Sequence, residues 1–420
     1  AFDIDEVKAN IKELTELKAE YRIVQTQLNG EESKIKAVHQ RYKNLRQYDT
    51  EEEILKQLKI SIFNLEDSIN NNINIGINNP FHWFIEFNTI IQNGGFDVII
   101  GNPPYLVYSN RNVNYSINTY STFTCKNLFA FFMERIFKII SYEGKVGVIL
   151  PISSISTRQM EPLQKKYKKY NQWHSNFAVR PAKLFYGVDM NLTISIFDIL
   201  HQTKNIYTTT YLRWRSKDRD KLFKKIKYIS LPKFKNHTNP FPKLGSKVEV
   251  SILNKMLSSN KKIQEYVTPS GTPMYYHSGG RYWRKALDKK ISSHYKEIRI
   301  LHEYQSSVFC YLNSNLFYWY WITNSNCMDL VKREVHQSPF FTAGKSLRKF
   351  DNLQERLIKD YYNNSTIQHR QGKIINGKEI NFDVKKSIHI INEIDKLLAE
   401  HFGFNKQETL FILNFDSGFK

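Results

Sequence analysis

The run Phe96-Asp97-Val98-Ile99-Ile100-Gly101-Asn102-Pro103-Pro104-Tyr105 constrains this chain more than any other stretch. Val98-Ile99-Ile100 reads as a short buried strand that stops at Gly101-Asn102-Pro103-Pro104. Two successive prolines lock φ and cannot donate to a ladder, so the strand ends in a rigid turn. A turn at the carboxyl end of a strand is where open α/β sheets bind their ligands. This one offers the Asn102 amide, the Pro103 carbonyl and the Tyr105 ring, which amounts to two acceptors and a stacking plate. A flat ring carrying two N–H donors fits such a corner, and the exocyclic amine of adenine is such a group.

Around that turn the texture changes three times. Residues 4–28 place Ile4, Val7, Ile11, Leu14, Tyr21 and Leu28 near a 3-4 alternation, and Ile35, Val38, Tyr42 and Leu45 continue it. Thr50 with Glu53 resembles a capping box that opens a further helix along Leu55, Leu58, Ile62, Leu65 and Ile69. This region reads as a helical hairpin or short coiled coil over 1–78, ending in an asparagine-rich linker. From 79 to 205 the pattern is α/β. An apolar helix over 127–140, a turn at Glu143-Gly144 and a strand over 145–150 make a crossover starting at Val98, followed by a helix over 156–170 and a strand over 191–200. Residues 206–345 read as a basic, aromatic-rich α+β domain, and 346–420 as a helical segment.

Charge sharpens the division. The chain carries 61 Lys and Arg against 40 Asp and Glu, and 201–300 alone holds 23 basic and 6 acidic residues. Interleaved with Tyr, Trp and Phe, so local an excess points to nucleic acid rather than a membrane surface. Cys125, Cys310 and Cys327 have no metal-ligand or disulfide spacing and fit a reducing cytoplasm. No apolar run is long enough to span a bilayer.

Asn102-Pro103-Pro104-Tyr105 resembles the catalytic tetrapeptide of DNA adenine-N6 methyltransferases. With Phe81-His82-Trp83-Phe84-Ile85-Glu86-Phe87 before it, the segment is similar to the Eco57I-like enzymes of restriction-modification systems. Asn127-Leu128-Phe129, the strand after Gly144, and Arg180 to Asp189 resemble the family's following motifs in order. Further blocks lie around 211–223, 282–284, 312–321 and 391–416. The fold implied is a partial Rossmann-like methyltransferase domain, preceded by a helical hairpin and followed by an α+β target-recognition domain and a helical C-terminus.

The resemblance implies roles for single residues. Asn102 and Pro103 would accept the two amine protons, and Pro104 would hold the corner. Tyr105 would stack on the flipped-out base, with Phe197 matching a second stacking ring, although Phe197 also reads as a core residue. Phe132 would touch the adenine of S-adenosylmethionine, the implied cofactor, and also reads as helix core. Arg213, Arg215, Lys217, Arg219, Arg281, Arg284 and Lys285 are candidates for contacts with double-stranded DNA, or for plain surface charge. The family's glycine-rich cofactor loop has no match here, since the sequence contains no G-x-G. The expectation is therefore a chain that works with an N-terminal cofactor-binding half or subunit. The alternatives are a DNA-binding specificity module with a vestigial turn and a structural partner whose aromatic clusters dock another subunit.

Overall fold

The computed structural model describes residues 4–27, 51–72, 83–109, 119–200, 204–235, 237, 241–279, 285–341, 347–371 and 376–418. It divides into two compact units, Ala1–Asp97 with Ile139–Tyr142, and Val98–Lys138 with Glu143–Lys420.

In the first unit, helices α1 (Ile4–Gln27) and α2 (Glu51–Asn72) pair through Leu17 and Tyr21 against buried Ile54 and Leu58. Lys18 and Glu66 bridge them at 2.7 Å. The helix expected between them, and Thr50 of the expected capping box, lie outside the described residues. Two short helical turns, Trp83–Glu86 and Asn88–Gln92, follow, and the Asn88 side chain donates to Thr15 Oγ1 at 2.7 Å. Trp83, Phe87 and Phe96 form a ring cluster with centroids 5.2–6.1 Å apart. Gly94 and Gly95 turn the chain with φ of +100° and +110°. A Cβ on Gly95 would lie 2.4 Å from the Ile139 carbonyl oxygen. The pair therefore serves a tight turn and a close backbone approach.

The second unit is built on a six-stranded mixed sheet. Its strands are β1 (Phe96–Gly101), β2 (Ile140–Pro151), β3 (Asn171–Phe177), β4 (Leu192–Asp198), β5 (Ile206–Leu212) and β6 (Ile229–Ser230), in the order 1-2-4-3-5-6. β4 runs antiparallel to both β2 and β3, and β3 is parallel to β5. Helix α3 (Leu128–Ile139) connects the neighbours β1 and β2, burying Phe129, Met133 and Ile136 at helical spacing. On β2, alternate residues Val146, Val148 and Leu150 face the core.

Two details differ from expectation. No turn forms at Glu143-Gly144, because the strand runs on from Ile140 and the Gly144 carbonyl accepts the Ile199 N–H. The helix expected over 156–170 is shorter, α4 (Glu161–Tyr167), after brief turns at Ser153–Ser156 and Arg158–Met160.

Beyond 240 one core cluster takes residues from both sides of position 345. A three-stranded antiparallel sheet, β7 (Val267–His277), β8 (Ala286–Leu287) and β9 (Tyr295–Ile300), joins helices α5 (Lys247–Ser258), α6 (His302–Leu312) and α7 (Asn315–Asn324). Helices α8 (Leu347–Asn363), α9 (Ile388–His401) and α10 (Lys406–Asn414) add Phe350, Leu357, Ile391 and Ile412 to that same core. Buried Asp395 of α9 accepts the Leu316 N–H at 3.0 Å and the Asn315 side chain at 2.7 Å, capping α7 where a helix favours negative charge. β5 and β6 continue the six-stranded sheet past residue 205.

Candidate active site

β1 delivers the chain to the proline corner. Asn102 is exposed, Pro103 buried, Pro104 exposed and Tyr105 half-buried. The Tyr105 hydroxyl lies within donating distance of Asn102 Oδ1, 2.5 Å away, and of the Ile149 carbonyl of β2, 3.0 Å away. Burial pushes the Tyr105 phenol up to about 12, so it stays a protonated donor at neutral pH. The result is a fixed amide whose oxygen points to one place, with a second lone pair available to a ligand.

The chain beyond Tyr105 is tied to the start of α3. Val107 bridges Asn127, the Tyr108 N–H donates to the Lys126 carbonyl at 3.0 Å, and the Leu128 N–H donates to the Leu106 carbonyl at 2.9 Å. Residues 110–118 lie outside the described set. Glu134 holds the chain at Ser121 and Thr122. This buried carboxylate of α3 accepts from the Thr122 hydroxyl and N–H, both at 2.9 Å, and from the Ser121 hydroxyl at 2.9 Å. Burial raises the Glu134 pKa, but these hydrogen bonds outweigh it and hold the group down at about 2. A lone acidic residue on an apolar helix was the visible sign of this anchor.

The other expected residues scatter. Phe132 is 45% exposed on the outer side of α3. Phe197 is fully buried, packed on Tyr167 at 4.8 Å and Phe137 at 5.2 Å between ring centroids. It is a core side chain with no face for a base, because the alternation of β4 turns it inward.

Arg213 is likewise not a free surface cation. Its guanidinium pairs with Asp416, donates to the Tyr318 hydroxyl at 2.7 Å and lies over the Tyr211 and Tyr318 rings. Arg219 donates to the Lys183 carbonyl at 2.7 Å and the Leu184 carbonyl at 3.2 Å, and so braces a neighbouring loop. Arg215 and Lys217 are exposed. Lys285 lies over the Phe382 ring at 5.6 Å, while Arg281 and Arg284 are outside the described residues.

The sequence reading passed over a cleft of about 460 Å³, lined by Arg158, Lys165, Lys168 and Arg333 against Glu161 and Glu334. It lies between the segment after β2 and the end of α7. Among the described residues no cluster of His, Cys, Asp or Glu could hold a metal ion, and no helix is long and apolar enough to cross a membrane.

Comparison with known proteins bears on this corner. Residues 1–185 match the family model of the Eco57I restriction-modification methylase. A protein of Methanocaldococcus jannaschii named as a type II restriction enzyme and methyltransferase is 39% identical over 77 residues, 18% of this chain. That alignment covers only 6% of the relative. Among solved structures, the type IIL restriction-modification enzyme MmeI in complex with DNA aligns over 85% of this chain and 62% of its own, with TM-score 0.43 and 10% identity. The type ISP enzyme LlaGI, a nuclease-deletion mutant with a DNA substrate mimic, aligns over 79% and 51%, with TM-score 0.39 and 11% identity.

Proposed function

We propose that this chain is the catalytic and DNA-reading portion of a restriction-modification methyltransferase that modifies the N6 amine of an adenine swung out of duplex DNA. The observation that carries the reading is the exposed Asn102 amide, held at the mouth of a proline corner by the Tyr105 hydroxyl. The family match over residues 1–185, which includes that corner, supports it.

The N6 lone pair is delocalised into the purine ring and attacks poorly. Hydrogen bonds from its two protons to Asn102 Oδ1 and the Pro103 carbonyl draw the nitrogen toward a tetrahedral shape and localise that pair. This is positioning and electrostatics, and it needs no covalent intermediate. Tyr105 serves as hydrogen-bond donor to Asn102 and as a plate for the base, not as a proton acceptor, given its raised pKa. Cytosine C5 chemistry demands a thiolate nucleophile. Cys125, Cys310 and Cys327 are all buried, and burial raises each thiol pKa, which favours the amine.

S-adenosylmethionine supplies the methyl group in this reading. Gly94 and Gly95 are committed to their turn, and Phe132 of α3 offers an exposed ring. The cofactor would be held by a further part of the enzyme, either a longer polypeptide or a second subunit. Exposed Arg215 and Lys217, and the cations of the cleft, are the candidates for phosphate contact.

The test is Asn102→Ala in the complete enzyme. Methyl transfer should fall by about 100- to 1000-fold, while DNA affinity stays within about twofold. Undiminished transfer would overturn the assignment. A specificity module with a vestigial turn would instead bind DNA and transfer nothing before any substitution is made.

A further inference from the structure

We infer that Tyr186 is a wedge that enters the DNA duplex and stacks in the gap left when the target adenine moves into the Asn102–Tyr105 corner; this rests on the methyltransferase reading above. Tyr186 lies on the β3–β4 connection, and its side chain is fully exposed, with Phe185 and Met190 exposed beside it. The register fixes which end of the sheet this is. Pro151 of β2 and Phe177 of β3 both stand opposite Leu192 of β4, so residues 178–191 leave the sheet at the carboxyl end of β2. The proline corner lies at that same end, because the Tyr105 hydroxyl meets the carbonyl of Ile149, two residues before Pro151.

The loop is braced, so the exposed ring is presented rather than trailing. Arg219 donates to the Lys183 and Leu184 carbonyls, and Lys183 pairs with Asp189 at 3.1 Å. Gly187, with φ of +78°, turns the chain directly after Tyr186. At the loop base, Asn191 Oδ1 accepts from the Val179 N–H at 2.9 Å and the Tyr211 hydroxyl at 2.7 Å. Its amide nitrogen donates to the Asn326 carbonyl at 2.9 Å. Exposed Arg180, Arg215 and Lys217 neighbour this loop in sequence or through Arg219. An aromatic tip among cations suits bases and phosphates together. Eversion costs unstacking and unpairing, and a ring that fills the vacated space offsets part of that cost.

The test uses the complete enzyme and duplexes carrying the sequence it methylates, with single-turnover methyl transfer as the readout. One duplex pairs the target adenine with thymine; the other sets it opposite an abasic site, where eversion is cheap. Tyr186→Ala should slow transfer about tenfold or more on the paired duplex and restore it to within about twofold on the abasic one, while Tyr186→Trp should be near normal on both. Equal rates for Tyr186→Ala and the unsubstituted enzyme on the paired duplex would overturn the wedge alone. So would an equal loss on both duplexes, which marks a general structural defect. Absence of N6-methyladenine with the unsubstituted enzyme would instead overturn the reading on which the wedge rests.

Discussion

The proline corner at 102–105 and the arginine-rich strip at 213–219 both stand out in the sequence, yet they end in opposite surroundings. Asn102 remains at the surface, whereas Arg213 is drawn into an ion pair with Asp416, 203 residues away. The corner is shaped by its own covalent chemistry: two prolines fix the backbone wherever the strand ends. The destination of a guanidinium depends on which carboxylate and which rings the fold brings to it. Local stiffness can be read from neighbours in sequence, but the partner of a charge cannot.

The contrast can be tested by substitution, and the largest effect after that of Asn102 should come from Arg213. Arg213→Ala removes the guanidinium that pairs with Asp416 in a largely buried site, leaving the Tyr318 hydroxyl as a donor to that carboxylate, and should cost about 3–5 kcal/mol of stability in thermal or denaturant unfolding. Arg215→Ala and Lys217→Ala should change stability by no more than about 0.5 kcal/mol. If the three variants unfold alike, the distinction between buried and surface arginines fails.

Tyr105→Phe sharpens the other side. It keeps a ring for the base but removes the donor to Asn102, and should slow methyl transfer roughly tenfold, the scale of one hydrogen bond of about 1–1.5 kcal/mol. A larger fall in DNA affinity than in rate would mean that the hydroxyl binds substrate instead of orienting the amide.

Acid pH probes the interior. Glu134 has a folded-state pKa of about 2 against an ordinary 4.5, so its contribution is present above pH 4.5 and is lost as pH falls toward 2. Burial depresses His174 to about 3 from 6.5, so its contribution is present above 6.5 and is lost as pH falls through 3. Stability should therefore decline from pH 6.5 downward, and Glu134→Gln should flatten the part of the decline below 4.5. An unchanged slope in that variant would remove Glu134 as the anchor of the 121–122 segment.

The smallest effect concerns salt. Arg215→Ala or Lys217→Ala should each lower the slope of log affinity against log salt by about 1 if that residue contacts a phosphate. Charge reversal at Arg158 or Arg333 tests the cleft in the same assay.

What the sequence disclosed follows the same division. The apolar face of α3 and the 145–150 strand are legible because their periodicity reflects burial directly. The strand into the corner forms at the edge of the sheet and is not buried as expected, with Val98 57% and Ile100 81% exposed. β3 was not legible, because Asn171-Gln172-Trp173-His174-Ser175-Asn176-Phe177 is a polar run placed inside the sheet. Several of its polar groups find partners on neighbouring segments. His174 Nδ1 meets Ser195 Oγ at 2.9 Å, Gln172 donates to the Tyr167 carbonyl at 2.7 Å, and Asn176 donates to Thr208 Oγ1 at 3.0 Å. Satisfied polar groups can be buried, and hydropathy does not register the satisfaction. Phe197 and Tyr186 show the same limit for aromatics. A ring is equally apolar in the core and at a loop tip, and only strand register and the brace from Arg219 separate the two.

The most direct measurement is the nucleoside composition of DNA treated with the complete enzyme and S-adenosylmethionine, resolved by mass spectrometry. An adenine amine held by Asn102 and Pro103 predicts N6-methyladenine, formed about 100- to 1000-fold more slowly by Asn102→Ala. Methylation at a cytosine carbon, or N6-methyladenine formed by Asn102→Ala at an undiminished rate, would contradict it.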